Sequence, residues 1–288
     1  MSRVLRPAAG LLALAGLVGC SGRCSPPDPP PETPAGEAAP DPGERFNQPF
    51  EKATTDEVGP DQLPPPDHTV AGKSTAEVRE TVERLWPTIR LADAAGKPLS
   101  WTVTLDTAEG PIEIALRADL APNHARNLIA LTQAGYYDGL RFDRIVHQQA
   151  EDPTGGRTAI HMVTLGCPAG TGDPGIGHIG YRLKSEFTET PHEAGTVGFT
   201  RDADPSSAGV RLYITLAPAP ALDNSYTIVG KVTKGLDAVE RIAAGKLLPI
   251  DADPTRELPE RPVIIRRATA NRIGLTTEAQ RHREDKKD

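Results

Sequence analysis

Residues 222–232 read Leu-Asp-Asn-Ser-Tyr-Thr-Ile-Val-Gly-Lys-Val, and residues 195–201 read Gly-Thr-Val-Gly-Phe-Thr-Arg. Each stretch carries a short apolar run, at residues 227–232 in the first and at residues 196–200 in the second. Glycine-rich or proline-rich loops bound both runs, which is typical of β-strands. The two stretches therefore predict two strands of an all-β domain.

Six further strands are predicted outward from these stretches. Residues 103–105 and 112–116 alternate apolar and polar side chains around a turn at residues 108–110, Ala-Glu-Gly, which predicts a hairpin. The other four predicted strands are residues 142–146, 161–165, 211–215 and 263–265.

Two helices are predicted in the same region, at residues 122–134 and 236–244. Apolar side chains recur on one face of each, and Gly135 and Gly245 follow where a helix would end. Eight short strands with two isolated helices predict a closed eight-stranded antiparallel barrel capped by the helices, because closure removes exposed sheet edges.

Motifs spread along this region resemble those of the cyclophilins, the barrel-shaped peptidyl-prolyl isomerases. The matching segments are residues 136–139 (Tyr-Tyr-Asp-Gly), 142–145 (Phe-Asp-Arg-Ile), 195–201, 204–208 (Asp-Pro-Ser-Ser-Ala), 211–214 (Arg-Leu-Tyr-Ile) and 222–232. The last resembles the family's L-D-G-x-Y-T-V-F-G-x-V, and residues 195–208 resemble G-x-(L/V)-x-M-A-R followed by D-P-N-S-A. The resemblance runs in order from Trp101 to Ile273, and it implies the cyclophilin fold.

The resemblance also implies a site that rotates X-Pro bonds without a nucleophile, metal or cofactor. It implies that Arg144 is catalytic, because a guanidinium that donates to the imide nitrogen stabilises the twisted, non-conjugated state. The implied proline pocket consists of Met162, Val163, Tyr213, Leu222 and Tyr226. Thr200 and Arg201 are expected to border the peptide groove, and Phe142, Leu165 and Arg211 complete the implied substrate-binding set.

Several positions depart from the family pattern. Leu165 stands where the family has the glutamine of Q-G-G-D, Arg211 replaces a second glutamine, and Ala221 replaces an aromatic residue. These glutamines hold the peptide backbone or orient the arginine, so we expect reduced activity. Arg211 is expected either to repel Arg144 or to bind an acidic residue beside the proline. Residues 147–159 are inserted, and we expect an extra loop beside the mouth of the groove.

Two functions follow from the resemblance. The first is a prolyl isomerase that acts on proline-containing polypeptides of the cell envelope. The alternative is a cyclophilin-like protein that binds such peptides, or another envelope protein, with weak or no catalysis.

Other function classes have little support. The matches to G-x-G-x-x-G at residues 170–175 and 175–180 open no helix, so they predict a glycine-rich surface loop. The spacing of His147, His161 and His178 fits no known metal-ligand pattern. A net charge of −7 without a long basic stretch argues against a nucleic-acid partner.

The first 19 residues have the parts of an export signal. Arg3 and Arg6 form a positive start, and residues 8–18 form an uncharged, largely apolar run. This run is too short for a mature membrane-spanning helix, which needs roughly 20 apolar residues. We therefore expect residues 1–19 to be a cleaved signal peptide.

Residues 17–20, Leu-Val-Gly-Cys, resemble the lipobox of bacterial lipoprotein precursors. The resemblance implies that Cys20 is acylated and holds the protein on a membrane. Ser21 resembles the outer-membrane sorting signal of two-membrane bacteria. The alternative is an ordinary secretory signal with a coincidental cysteine.

The predicted organisation continues with a proline-rich, disordered tether at residues 20–67. A helical lead-in follows at residues 68–100, including a helix at 74–86, then the barrel domain at 101–275 and a polar tail at 276–288. The remaining cysteines, Cys24 and Cys167, are expected to be unpaired. We predict a monomer.

Overall fold

The computed structural model describes residues 42–57, 63–152, 154–173, 175–249, 251–253, 255 and 257–273. The helices are α1 (Pro42–Arg45), α2 (Phe50–Ala53), α3 (Thr75–Leu85), α4 (Pro122–Gln133) and α5 (Leu236–Ala243). The strands are β1 (Thr54–Thr55), β2 (Trp101–Thr107), β3 (Gly110–Leu116), β4 (Phe142–Glu151), β5 (Arg157–Leu165), β6 (Arg182–Leu183), β7 (Thr196–Phe199), β8 (Leu212–Thr215), β9 (Ile228–Lys234) and β10 (Ile265–Arg272).

Eight strands form one antiparallel sheet in the order β10-β2-β3-β9-β7-β8-β5-β4. Burial alternates along β2, where Trp101, Val103 and Leu105 face the core and the residues between them are only partly buried. This period of two places one face of the sheet on a single hydrophobic core. The predicted mainly-β fold with eight antiparallel strands is confirmed.

The structure does not show the predicted closed barrel. Within the described ranges, no strand ladder joins β4 to β10 at the two ends of the sheet. An isolated bridge between Arg141 and Ile264 connects the chain just before each of these strands. Pro262 has no N–H to donate to a ladder, and β10 pairs with β2 along its length.

The two helices that were predicted to cap the barrel lie where expected. Pro122 occupies the first turn of α4, where a missing N–H is harmless, and Gly135 follows the helix with φ +69°. The last strand is longer than the predicted residues 263–265. It was missed because β10 is largely polar, with Ile265 and Ala268 as its buried residues.

Helix α3 in the lead-in is also confirmed. The Ser74 hydroxyl accepts a hydrogen bond from the Glu77 N–H at 3.3 Å, and Val78 and Val82 are buried. The helix ends at Leu85, and the indole N–H of the next residue, Trp86, donates to the Gln48 carbonyl at 2.9 Å.

That contact belongs to an ordered N-terminal strap, residues 44–57, which corrects the prediction of a disordered tether for this segment. Phe46, Phe50 and Ala53 are buried in the main core. Strand β1 pairs with β6, and the Lys184 N–H donates to the Ala53 carbonyl at 3.1 Å. Composition was misleading here, because two phenylalanines bury enough apolar surface to dock a short proline-bearing segment.

Residues 1–41 lie outside the described residues, so the predicted signal peptide and Cys20 stay predictions. The same holds for Cys24 and for the predicted tail at residues 276–288. Cys167 is buried and free.

We predict that Phe50→Ala destabilises the protein by about 3 kcal/mol, the low end for truncating a buried phenylalanine, since the strap can undock locally. The Phe50 ring packs edge-on against Trp86 and Tyr181, with centroids 5.3 and 5.0 Å apart. Urea unfolding measures the loss, with exposed Glu51→Ala as the matched control. An unchanged exchange rate of the Lys184 amide hydrogen would contradict docking of the strap.

Candidate active site

A cleft of about 150 Å³ lies on the outer face of strands β4, β5 and β8. It collects eight of the predicted site residues: Arg144, Met162, Thr200, Arg201, Arg211, Tyr213, Leu222 and Tyr226. Val146, Gln148 and Thr164 also line it and were not predicted.

Phe142, Val163 and Leu165 lie in the core instead of the cleft, which corrects three predicted substrate contacts. Strand register gives the reason. Arg144, Thr164 and Tyr213 pair directly across β4, β5 and β8, and all three line the cleft. Neighbouring positions point to opposite faces of a sheet, so Val163 and Leu165, on either side of Thr164, face the core. The register shifts between Phe142 and Arg144, so Phe142 pairs with Leu165 and shares its core face. A glutamine serving the cleft from β5 would therefore correspond to Thr164.

Arg144 has a side chain that is 20% exposed, and its guanidinium forms an ion pair with Glu257. Gln148 donates from Nε2 to the other carboxylate oxygen of Glu257. A side chain at Gly172 would collide with the aliphatic stem of Arg144, so the loop backs the arginine closely. Burial, and then the positive charge of Arg211, lower the pKa of Arg144 from its ordinary value.

Arg211 is turned into the protein. Its Nη2 lies 3.1 Å from Asp143 Oδ1, and both side chains are at most 3% exposed. The carbonyl oxygens of Gly172 and Asp173 accept further hydrogen bonds from the guanidinium at 3.2 and 2.9 Å. This arginine therefore braces the cleft wall, and its terminal nitrogens are not directed at an acidic substrate residue as one expectation had it.

Arg201 and Tyr226 form one rim of the cleft. The Arg201 guanidinium lies 4.7 Å from the Tyr226 ring centroid. Its Nε donates to the Ser225 carbonyl at 2.6 Å, and Nη1 donates to the Asp202 carbonyl at 2.7 Å. These contacts hold a cation–π pair in place beside the cleft.

Tyr213 belongs to a hydrogen-bonded chain that sequence reasoning missed. The Tyr213 hydroxyl lies 2.7 Å from His192 Nε2, and His192 Nδ1 lies 2.7 Å from Asp223 Oδ1. The hydroxyl sits against Gly198, where any side chain would collide with it. No sequence motif joins these residues, although a tyrosine where the family has phenylalanine signals that a buried hydroxyl needs a partner.

The inserted residues 147–151 and 157–159 extend β4 and β5 as a paired β-ribbon, in place of the expected loop. Strands β4 and β5 stay paired from Val146↔Met162 to Glu151↔Arg157. Ile160 and Ala150, on the cleft side of this ribbon, pack against Leu222 and its neighbours. The insertion therefore extends one wall of the cleft.

The glycine-rich loop at residues 170–180 serves the same site, because its carbonyl groups accept from Arg211 as described above. Among the residues that the structure describes, no three or more potential metal ligands cluster. No helix in the same part of the chain is long and apolar enough to cross a membrane.

Comparison with known proteins identifies the family to which this chain belongs. The family model for cyclophilin-type peptidyl-prolyl cis-trans isomerases matches residues 102–270, which include every strand of the cleft. The chain belongs to this family. The cleft is therefore the candidate active site of a cyclophilin.

Two curated cyclophilin relatives illustrate the similarity. A peptidyl-prolyl cis-trans isomerase-like 1 from Rhizopus delemar is 36% identical over 145 residues, covering 50% of this chain and 81% of the relative. A probable peptidyl-prolyl cis-trans isomerase from Brucella suis is 35% identical over 145 residues, covering 50% of this chain and 72% of the relative.

A similar solved structure is a cyclophilin-type isomerase from Cryptosporidium parvum, crystallised in the presence of the dipeptide Ala-Pro. It aligns with a TM-score of 0.49 and 20% identity, covering 59% of this chain and 98% of that chain.

We predict that this cyclophilin loses stability as the pH falls from 7.5 to 5.5. Burial lowers the pKa of His192, so the unfolded chain, with a histidine pKa near 6.5, takes up a proton first as the pH falls. The free energy of unfolding then decreases by at most about 1.4 kcal/mol per pH unit for this proton.

Urea unfolding across this pH range tests the assignment. Replacing His192 and Tyr213 together by phenylalanine removes the titrating ring and the hydroxyl it accepts from, and should flatten part of the slope. Burial also lowers the pKa values of His147 and His178, which leave a residual slope. An unchanged slope in the double variant would rule out His192 as a contributor.

Proposed function

We propose that this protein catalyses cis-trans rotation of X-Pro bonds in proline-containing polypeptides, with Arg144 as the catalytic residue. The observation that carries the proposal is the placement of the ion-paired guanidinium of Arg144 beside an apolar surface in a small cleft. Met162, Tyr213, Leu222 and Tyr226 supply the surface on which a proline ring would pack.

The chemistry needs little more than this arrangement. Amide resonance creates a barrier of about 18–20 kcal/mol to rotation of the peptide bond. In the twisted transition state the imide nitrogen regains its lone pair and becomes a hydrogen-bond acceptor. A donor fixed beside that nitrogen binds the twisted state more tightly than either planar state, which lowers the barrier. Partial burial of Arg144 strengthens this bond.

A second candidate function is binding of proline-containing peptides without useful turnover. It is favoured by the ion pair of Arg144 with Glu257, which engages part of the donor group. The missing family glutamines favour it too, since Thr164 and Arg211 occupy the cleft positions from which such residues would hold a peptide.

We predict that Arg144→Ala reduces the acceleration of Ala-Pro isomerisation about ten- to a hundredfold. The estimate corresponds to one charge-assisted hydrogen bond of about 1.5–3 kcal/mol. Exchange NMR on a short peptide with one Ala-Pro bond measures the rate. Because alanine leaves Glu257 buried without its partner, Arg144→Lys provides a second variant that keeps the charge.

The matched control is Arg117→Ala, since Arg117 is half exposed and pairs with Asp119 away from the cleft. It should retain full activity. Peptide binding by the wild-type protein without accelerated exchange would reject the isomerase and favour the second candidate.

We further propose that a lipid on Cys20 holds the protein in the cell envelope, where its substrates are folding envelope proteins. In a cell with two membranes, Ser21 supports the outer membrane, facing the periplasm. The support is the export signal and the lipobox-like residues 17–20. Action as a monomer stays a prediction.

We predict that Cys20→Ser releases the protein from the membrane or leaves its signal uncut, because serine offers no thiol for acylation. Cell fractionation and labelling with radioactive palmitate measure both outcomes. Cys24→Ser, four residues further on, is the matched control and should remain bound. Membrane retention of mature Cys20→Ser protein would contradict the lipid anchor.

A further inference from the structure

Two segments outside the family motifs meet at Arg144. Gln148 comes from the inserted ribbon, and Glu257 comes from the chain between α5 and β10. We propose that Glu257, held by Gln148, is a positioning residue that fixes the guanidinium of Arg144 on the cleft. This inference deepens the proposed isomerase function and rests on it.

The backbone around Glu257 is fixed independently of its side chain. The Ile145 N–H in β4 donates to the Glu257 carbonyl at 2.8 Å, which places Glu257 beside Arg144 in space. Asp253 Oδ2 accepts from the N–H groups of Glu257 and Leu258 at 2.7 and 2.8 Å. These three hydrogen bonds fix the backbone at Glu257 and thereby the position of its carboxylate.

Burial makes the pairing of Glu257 obligatory. Its side chain is only 3% exposed, and a buried carboxylate without a partner is strongly destabilising. One oxygen forms the ion pair with Arg144, and the other accepts a hydrogen bond from Gln148 Nε2. Gln148 can donate to this carboxylate but cannot neutralise it, so the charge of Glu257 fixes the arginine.

The balance of charges around Arg144 and Arg211 also supports a positioning role for Glu257. Arg144 and Arg211 lie close enough for Arg211 to lower the pKa of Arg144. Asp143 neutralises Arg211, and Glu257 neutralises Arg144. Asp143, Asp173 and Asp253 also act on the charge of Arg144, but Glu257 is its ion-pair partner among the described residues. Without Glu257, Arg144, at the more exposed position, would turn towards solvent.

The ion pair with Glu257 leaves other N–H groups of the Arg144 guanidinium available to donate to a substrate. Arg144 has five donors in a planar fork, and Nη2 makes the ion pair with Glu257. The remaining donors keep a defined direction only while this ion pair holds. Glu257 therefore acts through Arg144, and it has no contact with the cleft in its own right.

The expected result of Glu257→Gln is a fall in kcat of about tenfold, because a neutral amide holds the guanidinium less firmly than a carboxylate. KM should change less than about twofold, because the apolar pocket stays intact. Gln148→Ala should have a smaller effect in the same direction. The matched control is Glu260→Gln, on the same segment, which removes a half-exposed carboxylate paired with Lys246 and should have wild-type kcat.

A double-variant cycle separates positioning from general destabilisation. In the Arg144→Ala background, Glu257→Gln should cause no further loss of kcat, because both changes remove the same donor. A further tenfold loss there would overturn the proposal. A rise in kcat for Glu257→Gln would also overturn it, since it would mean that Glu257 competes with substrate for Arg144.

The orientation of Arg144 is also measured without catalysis. The guanidinium N–H signals of Arg144 should exchange slowly with water in the wild-type protein and fast in Glu257→Gln, by ¹⁵N NMR. If the wild type shows slow exchange but no isomerase activity, only the proposed function fails. If the exchange rates of the two proteins are equal, the positioning role fails whatever the activity.

Discussion

The buried ion pair between Asp143 and Arg211 holds together the parts of the chain that make the cleft. Asp143 also accepts hydrogen bonds from the Thr164 hydroxyl at 2.5 Å and from the Cys167 N–H at 2.9 Å. Arg211 bonds in turn to the carbonyl groups of the glycine-rich loop. This one ion pair and its hydrogen bonds therefore connect strand β4, the end of β5, the glycine-rich loop and the start of β8. Removing either partner would leave the other buried and uncompensated, which costs about 3–5 kcal/mol.

Every catalytic and rim feature is placed relative to that pair. The stem of Arg144 lies against the loop that Arg211 secures, and Thr200 donates its N–H to the Arg211 carbonyl at 3.0 Å. The charge of Arg211 is neutralised inside the protein by Asp143, and Arg144 is the more exposed of these two guanidinium groups. Buried charges therefore brace the wall of the cleft.

Local sequence patterns were sufficient for the sheet and for most of the cleft. Alternating apolar and polar residues, bounded by glycine-rich loops, predicted the strands. The order of the family motifs identified Arg144, Met162, Tyr213, Leu222 and Tyr226. Register was harder, because two adjacent residues of β5 read equally well as pocket residues until pairing with β4 showed which face each occupies. Val163 and Leu165 failed for this reason. Glu257 and His192 were beyond reach, because each acts through a partner at least 21 residues away in the sequence and no short motif records such a contact.

The strap was missed for a related reason: the predicted tether was judged from the proline-rich composition of residues 20–67 as a whole, whereas two buried aromatic side chains dock residues 44–57 on the core. Its docking has a consequence for assembly. The strap binds through the buried side chains of Phe46 and Phe50, through hydrogen bonds from Trp86 and Arg126 to its carbonyl groups, and through the two-residue pairing of β1 with β6. Its docking site therefore binds a peptide segment of the same chain. The same contacts formed between two chains would exchange straps and produce a domain-swapped dimer. Covalent linkage favours the strap of the same chain through its high effective concentration, and that advantage falls as chains are crowded together on a surface.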